Sequence, residues 1–126
     1  MRKPFANLLA AALLAPGAAH ACGACIEDKV AATYDHAVVT NATQHGKAVV
    51  FAEPREPVGG ARFAKAAAAS AKRTRGVDPA TVRTSTEPPT LSFALASGVR
   101  PEAALAAIER STGQPGLHLV LVKVVR

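Results

Sequence analysis

Apolar residues from position 26 onward fall at Ile26, Val30, Tyr34, Ala37 and Val38. The steps of four, four, three and one trace a helical stripe. Glu27 and Asp28 stand in what would be the first turn, where the helix dipole favours acids. His45-Gly46 supplies a stop, with glycine just past the last periodic residue. The pattern predicts one helix over 26–44. A competing strand over 37–40 is suggested by the β-branched Val38-Val39-Thr40.

Lys47 to Ala52 is a short apolar run bounded by Gly46 and Pro54, as expected of a buried strand. Pro54 to Gly60 is a loop by its proline and glycine content. Ala61 to Arg75 is alanine-rich and predicts a helix with a thin apolar face at Ala64, Ala67, Ala68 and Ala71, ended by Gly76. Thr81 to Thr86 has strand composition, and Pro88-Pro89 turns the chain. Leu91, Phe93 and Leu95 alternate with smaller residues, the period of a half-buried strand closed by Gly98. Pro101 opens a further helix with Ala104, Leu105 and Ile108 on its buried face; Gly113 and Pro115 stop it. Leu117 to Val125 is apolar on both faces, Leu117, Leu119 and Leu121 on one and Val120, Val122 and Val124 on the other. That pattern places it inside a sheet.

The resulting order is a helix followed by β-α-β-β-α-β. The fold class expected is α+β: a ferredoxin-like βαββαβ antiparallel sheet with an additional N-terminal helix on the sheet's other face or over its edge. Residues 47–126 would form that domain, and 22–46 a segment leading into it.

Composition adds an export signal. Arg2 and Lys3 precede an apolar run from Leu8 to Ala15, Pro16-Gly17 breaks it, and Ala19-His20-Ala21 has the small-x-small form of a cleavage site. The run is well short of the roughly 20 residues of a spanning helix. Residues 1–21 are therefore expected to be a leader cleaved after Ala21, giving a periplasmic or secreted chain that begins at Cys22 and has no membrane span. The net charge of the whole chain is +6, mildly basic. With no tryptophan and aromatics at only 4% of residues, a base-stacking platform is hard to build, and no nucleic-acid partner is expected.

Both cysteines lie at the new N-terminus, in Cys22-Gly23-Ala24-Cys25. A domain of this length does not ordinarily need a staple, and a bridge across so short a loop yields little chain-entropy stabilisation. Ahead of a helix, free N–H groups and the dipole would lower a thiol's pKa. Two thiolates three residues apart can converge on a soft ion. They suit Cu(I), which accepts low coordination; zinc fits less well because it takes four ligands. His36 is the next donor, on the same helical face as Cys25 but about 16 Å away along an unbroken helix, at 1.5 Å per residue. Tyr34-Asp35-His36 offers an aspartate beside the imidazole, although neighbours in a helix point apart. There is no nucleophile elbow, phosphate loop or zinc-protease signature, so no catalytic residues are assigned.

The element order from Lys47 to Val125, together with Cys22-Gly23-Ala24-Cys25, resembles the heavy-metal-associated domains of copper chaperones and metal-transporting ATPases. That family carries its cysteines in the loop after the first strand; here that loop, 53–60, has none. The resemblance implies binding or delivery of copper and a partner that is another metal-handling or membrane protein. Two alternatives stay open: a thiol–disulfide redox module, and a non-catalytic interaction domain in which the two cysteines form a structural disulfide.

Overall fold

The computed structural model describes residues 25–126. The leader expected over 1–21, and Cys22, lie outside the described residues. The protein is mixed α and β. Among the described residues, four helices, α1 (Ile26–Ala31), α2 (His36–Gln44), α3 (Gly60–Arg73) and α4 (Pro101–Ser111), accompany four strands, β1 (Ala48–Pro54), β2 (Arg83–Thr86), β3 (Pro89–Leu95) and β4 (Leu119–Val125). A 3₁₀ turn, Pro79–Thr81, precedes β2. The strands form one antiparallel sheet in the order β2-β3-β1-β4.

Strand β1 is central and covered on both sides. Val50 and Ala52 face the larger core, where they meet Phe63, Ala67 and Ala71 of α3 and Ala104, Leu105 and Ile108 of α4. Val49 and Phe51 face the opposite layer, where they meet Ala42 and Ala94, with Val30 and Val39 packed around them. The period of two along a strand sends successive side chains to opposite layers. Strand β3 behaves alike: Leu91, Phe93 and Leu95 enter the larger core and Ala94 the smaller. Phe63, absent from the alanine face expected of α3, is its main anchor at 1% exposure. Ser70, also fully buried, donates to the Ile108 carbonyl at 2.7 Å and so ties α3 to α4.

The N-terminal region departs from the expected single helix. The break falls at 32–35, and the helix resumes because Asp35 caps it, accepting from the N–H groups of Ala37 at 3.0 Å and Val38 at 3.2 Å. A side-chain cap competes with continuation of the preceding helix. The competing strand over 37–40 is also overturned, since those residues lie within α2. The end is as the sequence indicated: His45 is the C-cap, and Gly46 follows with φ +68°, which favours glycine.

Three polar contacts hold this region to the sheet. Lys29 pairs with Glu53 at 2.9 Å, Ser92 donates to the Thr33 carbonyl at 3.2 Å, and Arg83 pairs with Asp35 at 3.2 Å.

Strand β4 is a second correction. Among the described residues it is an edge strand, hydrogen-bonded within the sheet to β1 alone. Its apolar faces reflect a layer of helices on each side of the sheet, not a strand on each side. A register shift between Phe51 and Ala52 pairs Phe51 with Lys123 and Ala52 with Leu121, leaving Val122 as the extra residue of a bulge. Beyond the bulge the phase changes, so Val124 stands opposite Val50, away from the face expected for it. The bulge and Lys123 both blunt an otherwise adhesive edge.

Helix α3 begins where the chain passes close beneath β2. A Cβ on Gly60 would collide with the carbonyl oxygen of Thr86, whereas one on Gly59 would meet nothing within 4 Å. Gly60→Ala should destabilise the fold by about 1–3 kcal/mol, as backbone overpacking does, and Gly59→Ala clearly less. Chemical denaturation of the two variants compares them directly.

Asp35 supplies a pH-dependent test of the N-terminal layer. The N–H of Val38, foremost, and then Arg83 and the N–H of Ala37 hold its carboxyl below the usual aspartate range, outweighing a smaller opposing effect of desolvation. A folded-state pKa below the unfolded one adds stability that is present above the ordinary aspartate range and lost as pH falls through the folded value. The gap in melting temperature between the protein and Asp35→Ala should therefore be widest near neutrality and close in acid. A gap unchanged into acid would assign the effect to something other than the carboxylate's charge.

Candidate functional site

The donors singled out in the sequence stand at the starts of α1 and α2. Cys25 is the N-cap residue of α1 and is exposed. It is free of any disulfide within the described residues. Its thiol donates to Asp28 Oδ2 at 3.2 Å, so the sulfur is turned toward the first turn of its own helix. Ile26 beside it is 56% exposed.

The electrostatics of this thiol are opposite to the expectation. The backbone N–H of Asp28 does reach the sulfur and pulls its pKa down. The carboxylates of Asp28 and Glu27 push it up, and the balance lies above the ordinary thiol value. A six-residue helix that carries both its acids in the first turn cannot present a net positive end to the sulfur. The same contact works in reverse on Glu27: its own backbone N–H and then the Cys25 thiol lower the carboxyl's pKa.

His36 is the first residue of α2, beyond the break. Its Nδ1 lies 3.5 Å from the Tyr34 hydroxyl and its Nε2 3.4 Å from the Thr40 hydroxyl, both at the outer limit of hydrogen bonding. Asp35 does not orient this imidazole, because its oxygens serve the α2 cap and Arg83. The estimate of an unbroken helical distance between Cys25 and His36 no longer applies, since α1 and α2 are separate helices. Of the other histidines, His45 Nδ1 is 2.7 Å from the Asn41 carbonyl, and His118 Nδ1 is 4.0 Å from Glu109 Oε2. Among the described residues no three or more His, Cys, Asp or Glu side chains are grouped so as to hold a metal ion.

A second feature was invisible in the sequence. A cleft of about 300 Å³ opens between α2 and the 3₁₀ turn. Its lining comes from four separated stretches, including Asn41, Lys47, Asp78, Arg83 and Ala94. Only the clustering of alanine and charge at distant positions could have signalled it, and neither forms a motif. Among the described residues no helix is long and apolar enough to cross a membrane.

Replacing the carboxylate that accepts from Cys25 should release the thiol. In a Cys22→Ser background, Asp28→Asn should lower the Cys25 pKa and move the pH profile of alkylation to lower pH. An unchanged profile would show that the first-turn acids do not control this sulfur. Compared with protein-family models, curated proteins and solved structures, the chain matches none.

Proposed function

We propose that the protein is an exported carrier of a soft metal ion, taking up Cu(I) through the thiolates of Cys22 and Cys25. The observation that carries this reading is the acidic setting of Cys25. A thiol that serves as a redox nucleophile is favoured by electropositive surroundings. Here Asp28 and Glu27 disfavour the bare thiolate, yet the same two carboxylates favour a thiolate neutralised by a cation. Exposure of the sulfur leaves it open to a donor or acceptor protein, and the Lys29–Glu53 pair fixes the helix that bears it.

His36 enters as an auxiliary donor, its ring nitrogens held only by long contacts to hydroxyls. Two thiolates satisfy Cu(I) without it, whereas zinc would require further ligands. The order β2-β3-β1-β4, with α3 and α4 packed on one face, supports a ferredoxin-like arrangement. That arrangement in turn supports kinship with heavy-metal-associated domains, the dithiol having moved from the loop after β1 to the N-terminus. The leader at 1–21 would send the chain to the periplasm or the exterior, where another metal-handling or membrane protein would exchange copper with it.

Titration of the reduced protein lacking residues 1–21 with Cu(I), against a competing chelator, tests the assignment. One ion per chain should bind with release of thiol protons, so apparent affinity should rise with pH. Cys22→Ser/Cys25→Ser should abolish uptake, and His36→Ala should weaken it less. Equal binding by the double cysteine variant would overturn the site.

A further inference from the structure

The cleft between α2 and the 3₁₀ turn owes its volume to alanine. Ala42 of α2 and Ala94 of β3 are both buried and line it; Ala37 and Ala80 line it nearer the surface. Strand β2 is only four residues long, so a turn stands beside this part of β3 in place of a strand.

That wall is stitched in place. Asp78 N–H donates to the Ala94 carbonyl at 3.0 Å, Ala94 N–H donates to Thr81 Oγ1 at 2.8 Å, and Thr81 Oγ1 donates to the Asp78 carbonyl at 2.7 Å. On the other side, Lys47 N–H donates to the Ala42 carbonyl at 2.9 Å, fixing the backbone from which the lysine side chain leaves. The cleft is therefore built from hydrogen-bonded backbone, the preformed character typical of ligand sites.

Its charges are divided unequally. Arg83 and Asp35 neutralise each other at 3.2 Å, and Arg83 also donates to the carbonyls of Ala80 and Val82. Lys47 and Asp78 take part in no ion pair among the described residues. Asp78 spends one oxygen on the Ala80 N–H at 3.1 Å and keeps the other. Asn41 also lines the cleft. Besides the Arg83–Asp35 pair, one cation, one anion and Asn41 thus line a cavity with an alanine floor, at the small end of the roughly 300–1,000 Å³ range of ligand pockets.

We infer that this cleft binds a small zwitterion with a short apolar body, of the α-amino-acid class. Lys47 receives the carboxylate, Asp78 receives the ammonium group, and the alanine floor receives the side chain. A ligand of one sign would leave either Lys47 or Asp78 without a counter-charge. A zwitterion answers both and leaves the net charge of the cleft unchanged. The inference does not rest on the metal reading, whose thiolates lie at the start of α1, although the auxiliary donor His36 sits in sequence between Asp35 and Ala37 of the cleft lining.

The test is an amide chemical-shift titration of the isotope-labelled protein with L-leucine, alongside two single-sign probes of the same skeleton, 4-methylpentanoate and isopentylamine. L-Leucine should give saturable shifts centred on Ala42, Lys47, Asp78 and Ala94, with both single-sign probes binding more weakly. Lys47→Gln, at a half-buried position, and Ala37→Leu, which fills the cleft from its exposed rim, should each weaken binding about tenfold or more, in the range of a lost charge-assisted contact for the lysine. Both variants should keep the parent spectrum elsewhere. Shifts that fail to saturate, that scatter over the surface, that persist equally in both variants, or that 4-methylpentanoate reproduces in full would overturn the proposal.

Discussion

Burial of β1 on both faces is the constraint from which the other features follow. Val50 and Ala52 cannot leave water unless α3 and α4 cover one side of the sheet. Val49 and Phe51 cannot unless α1 and α2 cover the other. Each fully buried side chain of this size contributes about 1.5–3 kcal/mol relative to exposure. The second layer is the thinner one, with Phe51 as its large member and alanine or valine elsewhere. Polar contacts supplement it: Glu53, Ser92 and Arg83, one from each of three strands, reach up to Lys29, Thr33 and Asp35.

A thin layer held by specific contacts is suited to presenting chemistry. At its start it exposes Cys25, with acids two and three positions on, at Glu27 and Asp28. Along α2 it leaves a cleft, because small side chains span the space between helix and sheet without filling it. The larger core on the opposite face has a different character. It contains Phe63, Phe93, Leu91, Leu95 and Ile108, all essentially inaccessible, and its one buried hydroxyl from α3 is satisfied within the layer. The division of labour is physical: the thick layer supplies most of the apolar burial, and the thin one carries the candidate donors.

Much of the architecture was legible because the relevant signals are local. The alternation in 91–95, the alanine-rich run from 61 and the proline-led helix from 101 each specify an element without reference to the rest of the chain. The misreadings were of competition between local and distant effects. A stripe of helical period runs unbroken across 32–35, yet Asp35 finds better use as a cap and as a partner of Arg83, forty-eight residues away. An apolar pattern on both faces of 119–125 marks a strand covered by a layer on each side of the sheet and carries no information on whether both its edges are paired. The thiol follows the same rule: a helix end favours the thiolate, and the neighbouring carboxylates oppose it.

By itself the sequence determined the succession of helices and strands from Lys47 onward and the position of Cys25 at a helix start. These depend on period, breakers and neighbours in the chain. Tertiary structure alone decided the strand order, the edge position of β4, the splitting of the first helix and the meeting of Lys47, Asp78 and Ala94 around one cavity. The reason is that such features are set by which surfaces exclude water together, a property of pairs of elements that no single stretch of chain encodes.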